Sequence, residues 1–178
     1  MFPQITKPFK SMIQFFQHDS SMLLELSKHQ NNNIHTKPQV SFSAQLIATL
    51  QAEHFYIVEL YRKIAINVQC SEFPKIPHQL GHLKREFHRH LMQEDLLFYG
   101  YIEQNFADQP EQISVIKNHR KEVSSVSNRF NKFVDKWQIQ LINPQNIQQF
   151  QTEYNAMGDL LTQHLNQEEM HIYPFYRR

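Results

Sequence analysis

The sequence predicts an all-α protein, an up-down-up-down four-helix bundle with an extra N-terminal helical segment. Three observations carry this. Only three glycines occur among 178 residues, while Gln, Leu, Ile, Phe and Lys are plentiful, a balance that favours long helices over a turn-rich sheet. Four long stretches place apolar residues at alternating spacings of three and four, the period of one helix face. Short punctuated breaks separate them, and long helices joined by short connections pack as antiparallel neighbours.

Residues 1–40 form a separate unit. Within it, Lys7 to Gln30 predicts an amphipathic helix using Phe9, Met12, Phe16, Leu23 and Leu26, and HQNNNIHTKPQ then reads as a linker. Such a helix either packs on the bundle or meets a protein partner or a second copy of the chain. The bundle occupies residues 41–178. Its first helix runs from about Ser41, with Ser41 or Ser43 as the cap, to Gln69. The seam is Phe42 or Ser43, Ile47, Leu50, His54, Ile57, Tyr61, Ile64 and Val68. After the break CSEFPKIP, a second helix over about 76–105 carries Ile76, Leu80, Leu83, Phe87, His90, Glu94, Leu97 and Tyr101. ADQP ends it. Pro110 suits the first turn of a third helix, whose seam is Ile116, His119, Val123, Val126, Phe130, Phe133 and Trp137. LINPQN follows, with Asn143 as the cap of a fourth helix over about 144–173. Its seam is Ile147, Phe150, Tyr154, Met157, Leu161, His164, Glu168, His171 and Phe175.

Composition excludes several classes. A formal charge of +1 gives no basic field for nucleic acid or an anionic membrane surface. No window is apolar enough to span a membrane, and the N-terminus lacks the h-region and cleavage site of a signal peptide. The single cysteine, Cys70, excludes an intramolecular disulfide and a thiolate zinc cluster, and suits a reducing cytoplasm.

The polar residues on the four seams carry the chemistry. HLMQED at residues 90–95 is echoed by HLNQEE at 164–169, and the register continues so that Tyr99 and Tyr173 align. His90 with Glu94, and His164 with Glu168, stand at i and i+4, on one helix face. Counting from the turns puts the remaining histidines level with them. His54 lies 16 residues before Cys70 and His90 lies 15 after Lys75, rises of roughly 24 and 22 Å. The same count aligns Glu94 with His119 and His119 with His164, each to within about one turn. Six polar side chains therefore converge at one level: His54, His90, Glu94, His119, His164 and Glu168. Buried without partners, each costs roughly 1–3 kcal/mol. A His–Glu hydrogen-bond network would satisfy them. So would a borderline divalent metal, especially iron, which suits mixed imidazole and carboxylate donors. Asp95 and Glu169 sit beside the two seam glutamates and are alternative ligands. His171, one turn beyond Glu168, is either a fifth nitrogen donor or a lining residue. His18, His29, His35, His78, His82 and His88 read as surface residues.

Over residues 41–176 the chain resembles the bacterial hemerythrin-like proteins, the HHE cation-binding domain family. The resemblance rests on His54, on HLMQE followed by DLLFYGYI, on His119 in NHRKE, and on HLNQEE followed by MHIYPFY. It implies a non-haem di-iron centre, two iron ions joined by an oxo or hydroxo bridge. Glu94 and Glu168 would bridge the irons, and His54, His90, His119 and His164 would be terminal ligands. The pattern departs from the oxygen carriers of the family at Val123, where they have a second histidine on the third helix. That departure leaves a coordination position open or water-filled. The N-terminal segment also lacks the cysteine of members that repair iron–sulfur centres.

The resemblance implies a di-iron protein that binds or senses a diatomic ligand, oxygen or nitric oxide, or that handles iron. A reading of another class is a regulatory bundle acting through protein contacts, its metal site structural or vestigial. The N-terminal segment and linker would favour that reading. Peroxidase or nitric oxide reductase activity is a third reading, which no additional acid–base constellation calls for.

Overall fold

A computed structural model describes residues 39–178; the helix expected over Lys7–Gln30 lies outside them. The first helix, α1, is Leu46–Gln69. A 3-10 turn at Phe73–Lys75 leads into α2, Ile76–Gln93, which continues through a π-helical turn, Glu94–Tyr99, into α3, Gly100–Asn105. The long α4 is Pro110–Ile139. The last helix, α5, is Ile147–Gln167, extended by a π-helical turn at Glu168–Ile172 and a 3-10 turn at Tyr173–Phe175. Four rods therefore form, the second being α2, its π turn and α3.

Cross-helix pairs show the rods running antiparallel. Between α1 and α2, Glu53 meets Arg89 while Tyr56, further along, meets His82. Lys84 pairs with Asp135 and His88 with Asn131 between α2 and α4. Glu122 meets Gln167 and Lys136 meets Glu153 between α4 and α5. The ring closes between α1 and α5, where Tyr61 and Tyr154 stack at 4.2 Å and each hydroxyl donates to the other's backbone carbonyl. This is the up-down-up-down bundle that short connections impose.

The connections have local causes. Ser71 takes a left-handed backbone conformation (φ 58) after α1. There the Glu72 amide reaches back to the Asn67 carbonyl at 2.8 Å, the closing bond of a Schellman-type cap. Pro110 stands in the first turn of α4 as expected. The other caps differ from expectation. Neither Ser41 nor Ser43 caps α1, which begins after Gln45; the Ser43 amide instead donates to the Tyr176 hydroxyl at 2.8 Å. Asn143 caps the turn before α5, its Oδ1 accepting from the amides of Gln145 and Asn146, and the helix starts at Ile147.

The core is split in two. One apolar cluster runs from Ile57, Phe87 and Leu161 towards Trp137 and Phe150. The other holds Leu46, Leu50, Phe98, Ile102, Ile116, Ile172 and Tyr176. Every long rod crosses from one cluster to the other, and the seam residue at each crossing is a histidine or glutamate.

The π turns correct two expectations. Uninterrupted α-helices put Leu97 and His171 on the seam. A π turn takes one more residue than an α turn, so the buried positions slip by one: Phe98 and Ile172 are buried, while Leu97 and His171 are exposed. At the end of the fourth rod, Tyr173 and Tyr176 fill the core and Phe175 is half-buried.

Candidate metal centre

All six residues picked from the seams meet in the layer between the two apolar clusters. His54, His90, Glu94 and Glu168 are at most 1 % exposed, and His119 and His164 at most 4 %. Each is placed by its helix. His54 comes from α1, His90 from the last turn of α2, Glu94 from the first residue of the adjoining π turn, and His119 from α4. His164 comes from the last turn of α5, and Glu168 opens the π turn that follows. The two copies of the hexapeptide thus have identical local structure.

The donor atoms fall into two groups, each with its atoms within 4.8 Å of one another: His54, His90, Glu94 and Glu168, and His119, His164 and Glu168. Glu168 belongs to both. Its Oε1 lies 3.2 Å from His119 Nε2 and 3.3 Å from His164 Nε2, while its Oε2 lies 3.4 Å from His54 Nε2. Glu94 belongs to the first group, with Oε2 3.6 Å from His90 Nε2. Its other oxygen accepts from the Tyr173 hydroxyl at 2.9 Å.

Carboxylates behind two of the histidines, His90 and His54, fix how their rings face the centre. His90 Nδ1–H donates to Glu53 at 3.1 Å, and Glu53 is in turn held by Arg89 at 2.7 Å. His54 Nδ1–H donates to Glu169 at 2.7 Å. Glu122, 3.7 Å from His119 Nδ1, is beyond hydrogen-bond reach, and that nitrogen has no hydrogen-bond partner among the described residues. A hydrogen bond on the distal nitrogen selects the tautomer whose Nε2 lone pair points inward and makes that nitrogen a stronger donor to a cation. The neighbours left open as ligands have other partners. Glu169 is occupied behind His54, and Asp95, 55 % exposed, pairs with Arg120 on the surface.

The electrostatics of the layer suit a cation. Burial, together with the negative charge of Glu168, pushes the Glu94 carboxyl well above the usual carboxylate range. Burial acts on Glu168 in the same sense, but His164, His119 and His54 outweigh it and hold that carboxyl low. For His54, burial favours the neutral ring, yet Glu168, Glu169 and Glu94 overcome it and raise it from 6.5 to about 9. Burial lowers His90 and His164. Among the described residues, Glu94 Oε2, His164 Nε2 and Glu168 Oε2 are buried and lack hydrogen-bond partners. Orphaned buried polar atoms are rare in folded proteins. These three point into one layer and are all metal-ligating types, so the residues present fit a bound metal.

Three contributors escaped the seam reading. Glu53 lies off the seam and was hidden beside His54, its role visible only once Arg89 and His90 are set against it. Tyr173 and Tyr99 were signalled by the aligned repeat, but only the π turns bring them to the centre. Of the histidines expected at the surface, His78 and His88 are exposed and His82 is half-buried; His18, His29 and His35 lie outside the described residues. No helix among the described residues is long and apolar enough to cross a membrane.

The profile of the hemerythrin HHE cation-binding domain family matches residues 45–176. No match to a curated protein or to a solved structure accompanies it. The matched span contains all four rods and every residue of the polar layer. The chain, whose described residues form four rods around a buried His/Glu cluster that fits a metal, belongs to the hemerythrin HHE cation-binding domain family.

Proposed function

We propose that the chain is a non-haem di-iron protein whose centre binds a diatomic ligand, oxygen or nitric oxide. The observation that carries this reading is the position of Glu168 in both donor groups. One carboxylate facing two sets of imidazoles is the arrangement a metal pair requires, and mixed nitrogen and carboxylate donors suit iron. His54, His90 and Glu94 would hold one ion, His119 and His164 the other, with Glu168 between them. Glu94 belongs to the first group only, and its Oε1 also accepts from the Tyr173 hydroxyl.

Ferrous iron at such a site supplies the electrons and the coordination position that a diatomic ligand needs. The chain supplies the rest. Glu53 and Glu169 hold the rings of His90 and His54 with Nε2 inward. Tyr173 fixes Glu94 by donating a hydrogen bond to its carboxylate. The apolar clusters above and below the layer, Ile57, Phe87 and Leu161 on one side and Leu50, Phe98 and Ile116 on the other, limit the ingress of water. Leu97, which the seam period places inward, is exposed, and Phe98 fills that position.

Metal analysis of untagged protein, with optical spectra before and after oxygen or nitric oxide, tests the reading. Two irons per chain and a ligand-dependent charge-transfer band are expected. Less than one equivalent of metal, with the fold unchanged by a chelator, would instead favour a regulatory bundle.

A further inference from the structure

The two copies of the hexapeptide use their tyrosines differently. Tyr99 follows Glu94, and Tyr173 follows Glu168, by five residues, the hydrogen-bond spacing of a π turn; Tyr99 ends the first π turn and Tyr173 opens the 3-10 turn after the second. The hydroxyl of Tyr173 is engaged by the protein: it donates to Glu94 and lies 3.0 Å from His54 Nε2. The hydroxyl of Tyr99 is buried and has no hydrogen-bond partner among the described residues, although the residue is only 3 % exposed.

Tyr99 is held firmly in place. Its ring packs on Phe98 at 5.1 Å and beside the His119 ring at 6.4 Å. Arg120 lies 5.2 Å over its face and is itself paired with Asp95 and Glu103. A fixed phenol that finds no acceptor in the protein is a donor kept for something else.

The second donor group supplies the acceptor's place. His119, His164 and Glu168 make a two-histidine, one-carboxylate set, one donor fewer than the first group. Such sets leave coordination positions open to exogenous ligands, and half-buried Val123, one turn beyond His119, adds no donor. We propose that the Tyr99 hydroxyl is the hydrogen-bond donor that holds an exogenous ligand on the metal bound by His119, His164 and Glu168. This rests on the metal-pair reading above and adds to it which metal takes the ligand and which side chain retains it. A phenol hydroxyl keeps its proton at neutral pH and so has a hydrogen bond to give.

Azide is a suitable probe, since it binds ferric iron and accepts a hydrogen bond. Iron-loaded ferric protein and its Tyr99→Phe variant would be titrated with azide and followed optically, with iron content and thermal melting recorded alongside. The variant should keep two irons and an unchanged melting curve, and bind azide about tenfold more weakly. The azide stretching frequency should shift in deuterated solvent for the parent protein and not for the variant. Equal azide affinity, or loss of iron from the variant, would overturn the proposal. A tyrosinate charge-transfer band that disappears in the variant would overturn it in favour of direct coordination. Parent protein that holds no iron pair, or shows no azide response, would overturn the metal-pair reading as well.

Discussion

His54 and His90 place their Nε2 atoms 3.0 Å apart in a fully buried layer, while each donates its Nδ1 proton to a carboxylate behind it. With both distal nitrogens occupied as donors, two neutral rings would point lone pairs at each other. A proton on His54, raised to about 9 by Glu168, Glu169 and Glu94, relieves this beside His90, which burial pushes down. A cation in the same place would do the same work with more ligands.

Metal binding should therefore expel that proton. The folded pKa of His54 lies above 6.5, so its contribution to the stability of the metal-free protein is fully present below about 6.5 and is lost as pH rises through about 9. Across that window the metal competes with the proton, and affinity should rise with pH and level off near pH 9. Calorimetric titration at pH 7 in buffers of different ionisation enthalpy should read at least one proton released per chain. No release would remove His54 from the ligand set.

Glu168→Ala removes the one donor common to both groups. Bound metal should fall from two ions per chain to one or fewer, with helix content by circular dichroism largely retained because the rods are held by the two apolar clusters. If the variant still holds two ions, the shared role of Glu168 is wrong.

Glu53→Ala leaves every proposed ligand in place and removes only the acceptor behind His90. Loss of such a partner weakens metal binding by about 10–100-fold. Competition with a chromogenic chelator would measure it, and an affinity equal to that of the parent would show that Glu53 serves Arg89 rather than His90.

Ser71→Gly tests the fold apart from the centre. Ser71 carries a left-handed backbone at the end of α1, a conformation that costs a side-chain-bearing residue roughly 1–2 kcal/mol. Part of that gain is offset by the larger chain entropy of glycine. A net stabilisation of about 0.5–1 kcal/mol in urea unfolding is expected, with metal content unchanged.

The sequence by itself determined the four rods, their order and the six polar residues of the central layer. The reason is that a helix face repeats with a fixed period and a fixed rise. A polar residue interrupting an apolar seam is visible at once, and its height can be counted from the nearest turn. What the tertiary structure decided lies where that period changes or where residues far apart in sequence meet. The π turns at Glu94 and Glu168 shift Leu97 and His171 outward and bring Phe98, Ile172 and the two tyrosines inward, a one-residue slip that no α-helical count contains. The pairing of Glu53 with His90 and of Glu169 with His54, and the assignment of Glu168 to both donor groups, depend on how adjacent rods are set against each other. Sequence periodicity carries no information on that, because it records which face a residue occupies and not which atom stands across from it.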